Sequence, residues 1–176
     1  MKRVCVYCGS RDGDHPTFAT AAETVGTGIA KRGMGLVYGA GDVGLMGRVA
    51  TATMDAGGEV LGVIPQHLMD REIGKRDVSE LIVVQTMHER KMIMFDRSDA
   101  FVALPGGPGT LDELIELLTW RQLGLHDRPA HLLNLGGYWD PLITLLQSTV
   151  DRGFADQSFL DFLTVHETAE ALVKAL

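Results

Sequence analysis

The residues best suited to chemistry lie in one run, Pro105-Gly106-Gly107-Pro108-Gly109-Thr110-Leu111-Asp112-Glu113. Glycines that follow an apolar stretch leave backbone N–H groups unobstructed, and a helix N-terminus behind them favours negative charge. The run therefore suits a phosphate. Thr110 and Glu113 admit two readings. Spaced as Thr-x-x-Glu, they match a capping box, a structural device worth about 1 kcal/mol. Alternatively, the loop and Thr110 hold a phosphate while Glu113 presents a carboxylate to the ligand. A Glu113 folded back onto its own cap cannot reach a substrate, so the spacing alone leaves the choice open.

Two further turns have the same character, Gly9-Ser10 and Gly39-Ala40-Gly41-Asp42-Val43-Gly44. Ser10 and Gly41 are ligand-contact candidates on that ground. The second turn matches G-x-G-x-x-G, a dinucleotide fingerprint. That fingerprint requires an acid at the end of the next strand to bind a ribose. Glu59 instead begins that strand, which ends Val63-Ile64-Pro65-Gln66, so a nicotinamide cofactor is not expected. Cys5 and Cys8 form C-x-x-C, a redox spacing. On a strand, residues three apart point to opposite faces, so two structural thiols in a reducing cytoplasm are expected. The histidines show no metal-ligand spacing.

These groups need a frame to hold them. Strand-like runs at Val4–Cys8, Gly35–Tyr38, Val60–Ile64, Leu81–Gln85, Ala100–Leu104, Ala130–Leu135 and Phe162–Val165 alternate with helical ones. The helices are predicted over Pro16–Arg32, Gly44–Ala56, Met87–Arg97, Thr110–Leu123, Tyr138–Asp151 and Glu167–Leu176. Such alternation implies a parallel sheet covered on both faces, an α/β, three-layer, doubly wound, Rossmann-like fold. The three glycine turns then share the carboxyl edge. The longest irregular stretch, Gln66 to Ser79, is expected over that edge and contains Glu72. Arg90 lies on a helix face with Met87 and Met94, a spacing that permits partial burial of a residue otherwise expected in solvent.

At 176 residues and 19.1 kDa, the chain makes one domain over residues 1–176. A net charge of −7 argues against general affinity for nucleic-acid backbone. No apolar run reaches the roughly 18 residues of a membrane span. A soluble cytoplasmic protein with a small-molecule partner is expected, without nucleic-acid or membrane partners.

The glycine run resembles the P-G-G-x-G-T-x-x-E signature of the Lonely Guy cytokinin-activating phosphoribohydrolases. Gly39 to Gly47, Val63-Ile64-Pro65, Arg71-Glu72-Ile73, Met87-His88-Glu89-Arg90-Lys91, Thr119-Trp120-Arg121-Gln122-Leu123-Gly124 and Asn134-Leu135-Gly136-Gly137-Tyr138 follow in that family's order. The resemblance implies cleavage of the N-glycosidic bond of a purine ribonucleoside 5′-monophosphate, bearing adenine or an N6-prenylated adenine, with no metal or organic cofactor. It implies Arg90 and Glu113 as the catalytic pair. Glu72, Met87, Lys91, Gly106, Gly107, Pro108, Gly109, Thr110, Leu111, Asp112 and Thr119 are the implied nucleotide contacts. Arg11 stands where members often carry a second Ser, and Pro108 where plant members carry Tyr. The same fold family includes molybdenum-cofactor carriers, and its members are often labelled pyridoxal-phosphate decarboxylases. The joint presence of Arg90 and Glu113 favours an enzyme over a carrier, and Lys91 is the sole credible Schiff-base lysine. The helix 110–123 is apolar around most of its circumference, from Leu111, Leu114, Ile115, Leu117, Leu118 and Leu123. Either the helices 87–97 and 138–151 cover that excess or a second copy does; a homodimer is expected.

Overall fold

Alternating strands and helices assemble into one parallel sheet. In the computed structural model, which describes residues 1–69, 74–75 and 77–176, the strands are β1 (Arg3–Tyr7), β2 (Gly35–Tyr38), β3 (Val60–Pro65), β4 (Glu80–Val84), β5 (Ala100–Ala103), β6 (Ala130–Leu133) and β7 (Leu163–His166). Their order is β4-β3-β2-β1-β5-β6-β7, and every pairing is parallel. The chain winds outward from β1 to β4, then returns to lay β5 on the other side of β1. Loops leaving β1 and β5 therefore depart towards opposite faces, and a crevice opens between them at the carboxyl edge, where doubly wound sheets bind ligands.

Helices α1 (Pro16–Lys31), α2 (Gly44–Asp55) and α7 (Ala169–Ala175) cover one face; α4 (Met87–Asp96), α5 (Pro108–Gln122) and α6 (Asp140–Asp151) cover the other. Val25 and Ile29 of α1 and Val49 of α2 meet Val4, Leu36 and Val102 of the sheet on the first side. Met94 and Phe95 of α4 and Leu117 of α5 meet Val37, Leu61 and Phe101 on the second. Each such buried side chain contributes roughly 1.5–3 kcal/mol from desolvation. Cys5 packs into the second face and Cys8 into the first, as their spacing on an extended chain requires. Both thiols are free and buried, and burial pushes both well above the ordinary thiol range.

Element boundaries differ from the sequence reading where turns decide them. A short helix α3 (Gln66–Met69) occupies the start of the stretch expected to be irregular. Helix α6 starts at Asp140 rather than Tyr138, because Gly136 and Gly137 both adopt positive φ and form a separate turn. Helix α5 starts at Pro108, two residues before Thr110. Pro108 suits the first helical position, where its missing N–H costs nothing. Among the described residues, no helix is long and apolar enough to cross a membrane.

Candidate active site

That early start decides the role of Thr110 and Glu113. The N-cap of α5 is Gly107, with no side-chain capping bond. Thr110 is therefore the third helical residue; it caps nothing and is buried, 3% exposed. The capping-box reading of Thr110-x-x-Glu113 is thus incorrect. The box stands instead at the start of α4. There the Glu89 amide donates to Thr86 Oγ1 (3.1 Å), and the Thr86 amide donates to Glu89 Oε2 (3.1 Å). At α5 the Leu111 amide closes the first turn onto the Gly107 carbonyl at 3.1 Å. The amides of Gly109 and Thr110 precede it and have no carbonyl one turn back, so they are available to an anion.

The three glycine turns form one hydrogen-bonded floor. The Leu104 amide donates to Tyr7 O (2.9 Å), Gly9 to Pro105 O (3.1 Å) and Met46 to Gly9 O (3.3 Å). Gly106 has to be bare, since a Cβ there would strike Thr110 and come within 3.0 Å of the Gly9 amide. A cleft of about 480 Å³ opens over this floor, lined by Ser10, Arg11, Phe18, Gly106, Gly107 and Tyr138 among others. In the sequence Tyr138 closes the run Asn134-Leu135-Gly136-Gly137-Tyr138 and reads as the first residue of a helix, with no site role. Its hydroxyl donates to Gly106 O at 2.6 Å and its ring meets Phe18 edge-on at 5.6 Å. Only the preceding Gly136-Gly137 hinted at a turn that would bring it to the glycine loop.

Arg90 is only 8% exposed, against the ordinary expectation for a helical arginine. Its Nε donates to Val63 O at 3.2 Å and its Nη2 to Gly39 O at 3.0 Å, so the carboxyl ends of β3 and β2 fix the guanidinium plane. Glu113 lies within its electrostatic reach but forms no hydrogen bond or ion pair with any described residue. Burial pushes the Glu113 carboxyl up from 4.5 to about 7, with Arg90 and Lys91 pulling it down and Asp112 and Glu116 pushing it up. A carboxyl balanced near neutrality is suited to proton transfer or to meeting positive charge.

The remaining predicted residues divide by location. Ser10, Gly106, Gly107 and Pro108 line the cleft. Pro108, Leu111, Asp112 and Thr119 line a second groove of about 590 Å³ on the outer side of α5, with Ile115 and Trp120. Pro108 belongs to both, so the two cavities meet at the helix start. Met87 opens α4, with its sulfur 3.9 Å from Arg90 Nη1. Gly41 pairs with Gly74 in an isolated antiparallel bridge, and the Lys75 amide donates to Ala40 O at 3.1 Å. Gly74 and Lys75 of the connection between β3 and β4 thus dock on the carboxyl edge, while Glu72 lies outside the described residues. Lys91 Nζ is held by Asp112 (3.1 Å) and Glu116 (3.0 Å), joining α4 to α5. Neither Arg90 nor Glu113 lines the cleft, the α5 groove or a larger groove of about 850 Å³ between α1 and α2; what sets the last apart is that it lacks the Gly106-Gly107 turn and that its Arg48 is already paired with Asp12 and Glu23. Glu59 pairs with Arg3 at 3.9 Å rather than serving a nucleotide. Among the described residues, no group of three or more His, Cys, Asp or Glu is placed to hold a metal.

Residues 46–176 match the family model described as "Possible lysine decarboxylase". The chain is 47% identical over 176 residues to the cytokinin riboside 5′-monophosphate phosphoribohydrolase LOG5 of Arabidopsis thaliana, covering all of this chain and 77% of that protein. It is 45% identical over 176 residues to LOG3 of the same plant, again over the whole chain and 82% of the relative. In three dimensions it resembles the molybdenum cofactor binding protein of Rippkaea orientalis, with a TM-score of 0.75 at 22% identity over 99% of this chain and 95% of that one. The molybdenum cofactor carrier protein of Chlamydomonas reinhardtii gives 0.73 at 22% identity over 99% and 94%. At that identity the structures share the fold alone. Full-length similarity at nearly half of all positions is a different matter, and by it the chain belongs to the cytokinin riboside 5′-monophosphate phosphoribohydrolase family.

Proposed function

We propose that this protein hydrolyses the N-glycosidic bond of adenine-type ribonucleoside 5′-monophosphates, including N6-prenylated ones, to free base and ribose 5-phosphate. The observation that carries the proposal is Glu113: a half-buried carboxyl freed from any capping duty, raised to about 7 and within the electrostatic reach of the fixed Arg90. The phosphate sits on the uncapped start of α5 and the Gly106-Gly107 turn, with Ser10 across the cleft. As the C1′–N9 bond breaks, its electron pair leaves with the base, which takes up a proton from solvent, balancing the one that Glu113 later receives from water and returns to solvent. The sugar gains oxocarbenium character, and the Glu113 carboxylate stabilises that charge. Water adds to C1′ and gives its proton to Glu113. Arg90 stays protonated throughout, so it holds Glu113 aligned and ionisable or binds a sugar oxygen; it is no proton donor.

Lys91 acts in this scheme as a strap rather than a phosphate ligand. Burial works against its ammonium, but its bonds to Glu116 and Asp112 outweigh that and hold it above its ordinary value. The same pairing disfavours decarboxylase chemistry, which needs a free lysine amine. A cytoplasmic setting fits the two unpaired thiols. The protein acts as a homodimer. Leu114, Leu117 and Leu118 of α5 are covered within the chain by α4 and α6, but Ile115 and Leu123 remain exposed, as do Met87 and Met92 of α4.

The test is a product assay on AMP, isopentenyladenosine monophosphate and adenosine, scoring free base and ribose 5-phosphate. Both monophosphates should be cleaved and adenosine left intact, because binding energy from the phosphate is used to reach the transition state. Comparable turnover of adenosine and AMP refutes the phosphate anchor, and no free base from either monophosphate refutes the activity.

A further inference from the structure

The G-x-G-x-x-G turn at Gly39–Gly44 has no dinucleotide role, yet its first glycine is bare for a definite reason. We infer that Gly39 is a positioning residue for the reaction, its uncovered Cα and the carbonyl ends of β2 and β3 forming the socket that fixes the Arg90 guanidinium. The inference rests on the proposed role of Arg90 beside Glu113.

The geometry leaves Arg90 one place to sit. Its Nη2 donates to the Gly39 carbonyl itself, at 3.0 Å, and its Nε to that of Val63 on the adjacent strand, at 3.2 Å. The guanidinium thus lies directly against the backbone of residue 39. A Cβ added there would overlap Nη2 and stand 3.0 Å from Cζ. The other near atom is Met46 Sδ at 3.3 Å, the flexible part of a methionine. Gly39 does not adopt positive φ, so alanine is conformationally allowed. The methyl group would collide with the movable tip of Arg90 and with no backbone atom. The turn is pinned independently: Ala40 is held at φ 59°, and its carbonyl accepts from the Lys75 amide. Gly39→Ala should therefore keep the fold and evict the guanidinium. A lysine at 90 could not restore the arrangement, because an ammonium lacks the planar fork that meets two carbonyls at once.

Misplacing a catalytic group by about 1 Å can cost about 100-fold in rate, and Gly39→Ala should lower kcat for AMP on that scale while KM changes by no more than a few-fold. The decisive comparison is a double-mutant cycle with Arg90→Ala. If Gly39 acts only through Arg90, adding Gly39→Ala to Arg90→Ala changes kcat no further. The double variant also regains any stability that Gly39→Ala loses, since the space is vacated. Wild-type kcat in Gly39→Ala overturns the inference. So does an equal loss on both backgrounds, or a failure to fold that removing Arg90 does not relieve. A readout independent of turnover is the Arg90 Nε–H resonance in ¹⁵N-edited NMR. It should be protected from exchange in the wild type and lose protection in Gly39→Ala; unchanged protection overturns the socket. A wild type that cleaves no AMP would sink the proposed activity and leave this readout to judge the socket alone.

Discussion

Replacing Glu113 with Gln should abolish activity and stabilise the protein, and the two effects have one origin. The Glu113 carboxyl rises from 4.5 to about 7, with burial the largest cause. The gap corresponds to about 3 kcal/mol against ionisation in the folded state, at 1.36 kcal/mol for each tenfold change in proton affinity. The sign follows from linkage. A folded-state value above the unfolded one means that the native protein prefers the neutral acid. That preference contributes fully below about pH 4.5 and is lost as pH rises through about 7. At pH 8 the wild type bears nearly the whole cost. Gln has the same shape and no charge, so it escapes it. At pH 5 native Glu113 is already protonated and the advantage of Gln falls below about 1 kcal/mol.

The assay is thermal unfolding of both proteins at pH 8 and pH 5, beside AMP hydrolysis. For a chain of this length 1 kcal/mol moves the midpoint by about 2–4 °C. Glu113→Gln should therefore melt about 6–12 °C higher at pH 8, with the gap nearly closed at pH 5. Its turnover should fall by at least ~100-fold, the scale of a positioned catalytic charge. In the wild type, kcat/KM should fall as pH drops below about 7, because Glu113 becomes protonated and loses its charge. No stabilisation at pH 8, or the same stabilisation at both pH values, would refute the account of Glu113 as an acid that burial keeps close to neutrality. Near-wild-type turnover would remove it from the mechanism.

Tyr138→Phe keeps the ring against Phe18 and deletes only the 2.6 Å bond to Gly106 O. A bond of that kind is worth about 1 kcal/mol of stability, so the unfolding midpoint should fall by about 2–4 °C and KM for AMP should rise as the turn loosens; an unaltered midpoint and KM would show that the turn is held without it. Sedimentation at micromolar concentration should find a species of twice the 19.1 kDa chain mass, and Ile115→Asp should shift it towards the monomer. A wild type that sediments as a single chain rules out the dimer.

The layered fold was legible because the signals that specify it are local and repeated. Most strands are short, largely apolar runs, and the long helices carry apolar faces with a proline, glycine or capping residue near their ends. Residues at the site obeyed the same rules and were harder to read, because their neighbours come from distant parts of the chain. Arg90 shows the difficulty. Within its helix only the face shared with Met87 and Met94 sets it apart from a solvated charge, and its burial follows from carbonyls 27 and 51 residues away. Tyr138 reaches the glycine turn across 32 residues, carried there by a loop that its own sequence marks only as two glycines.

The two Thr-x-x-Glu segments bring the point to a single comparison. Thr86-x-x-Glu89 and Thr110-x-x-Glu113 are the same pattern at the starts of successive helices. In the first, the threonine is the last extended residue before the helix, and the glutamate closes the box. In the second, Pro108 is ready-made for the first helical position, so the helix begins two residues early. That shift moves Thr110 into the first turn and leaves Glu113 with no cap to serve. The glycines ahead of it leave the helix start uncapped for an anion, and burial keeps the freed carboxyl close to neutrality. A stabilising device has been given up at the one helix where its loss exposes both an anion site and an acid. Such a local sacrifice of stability is what a functional site is expected to show.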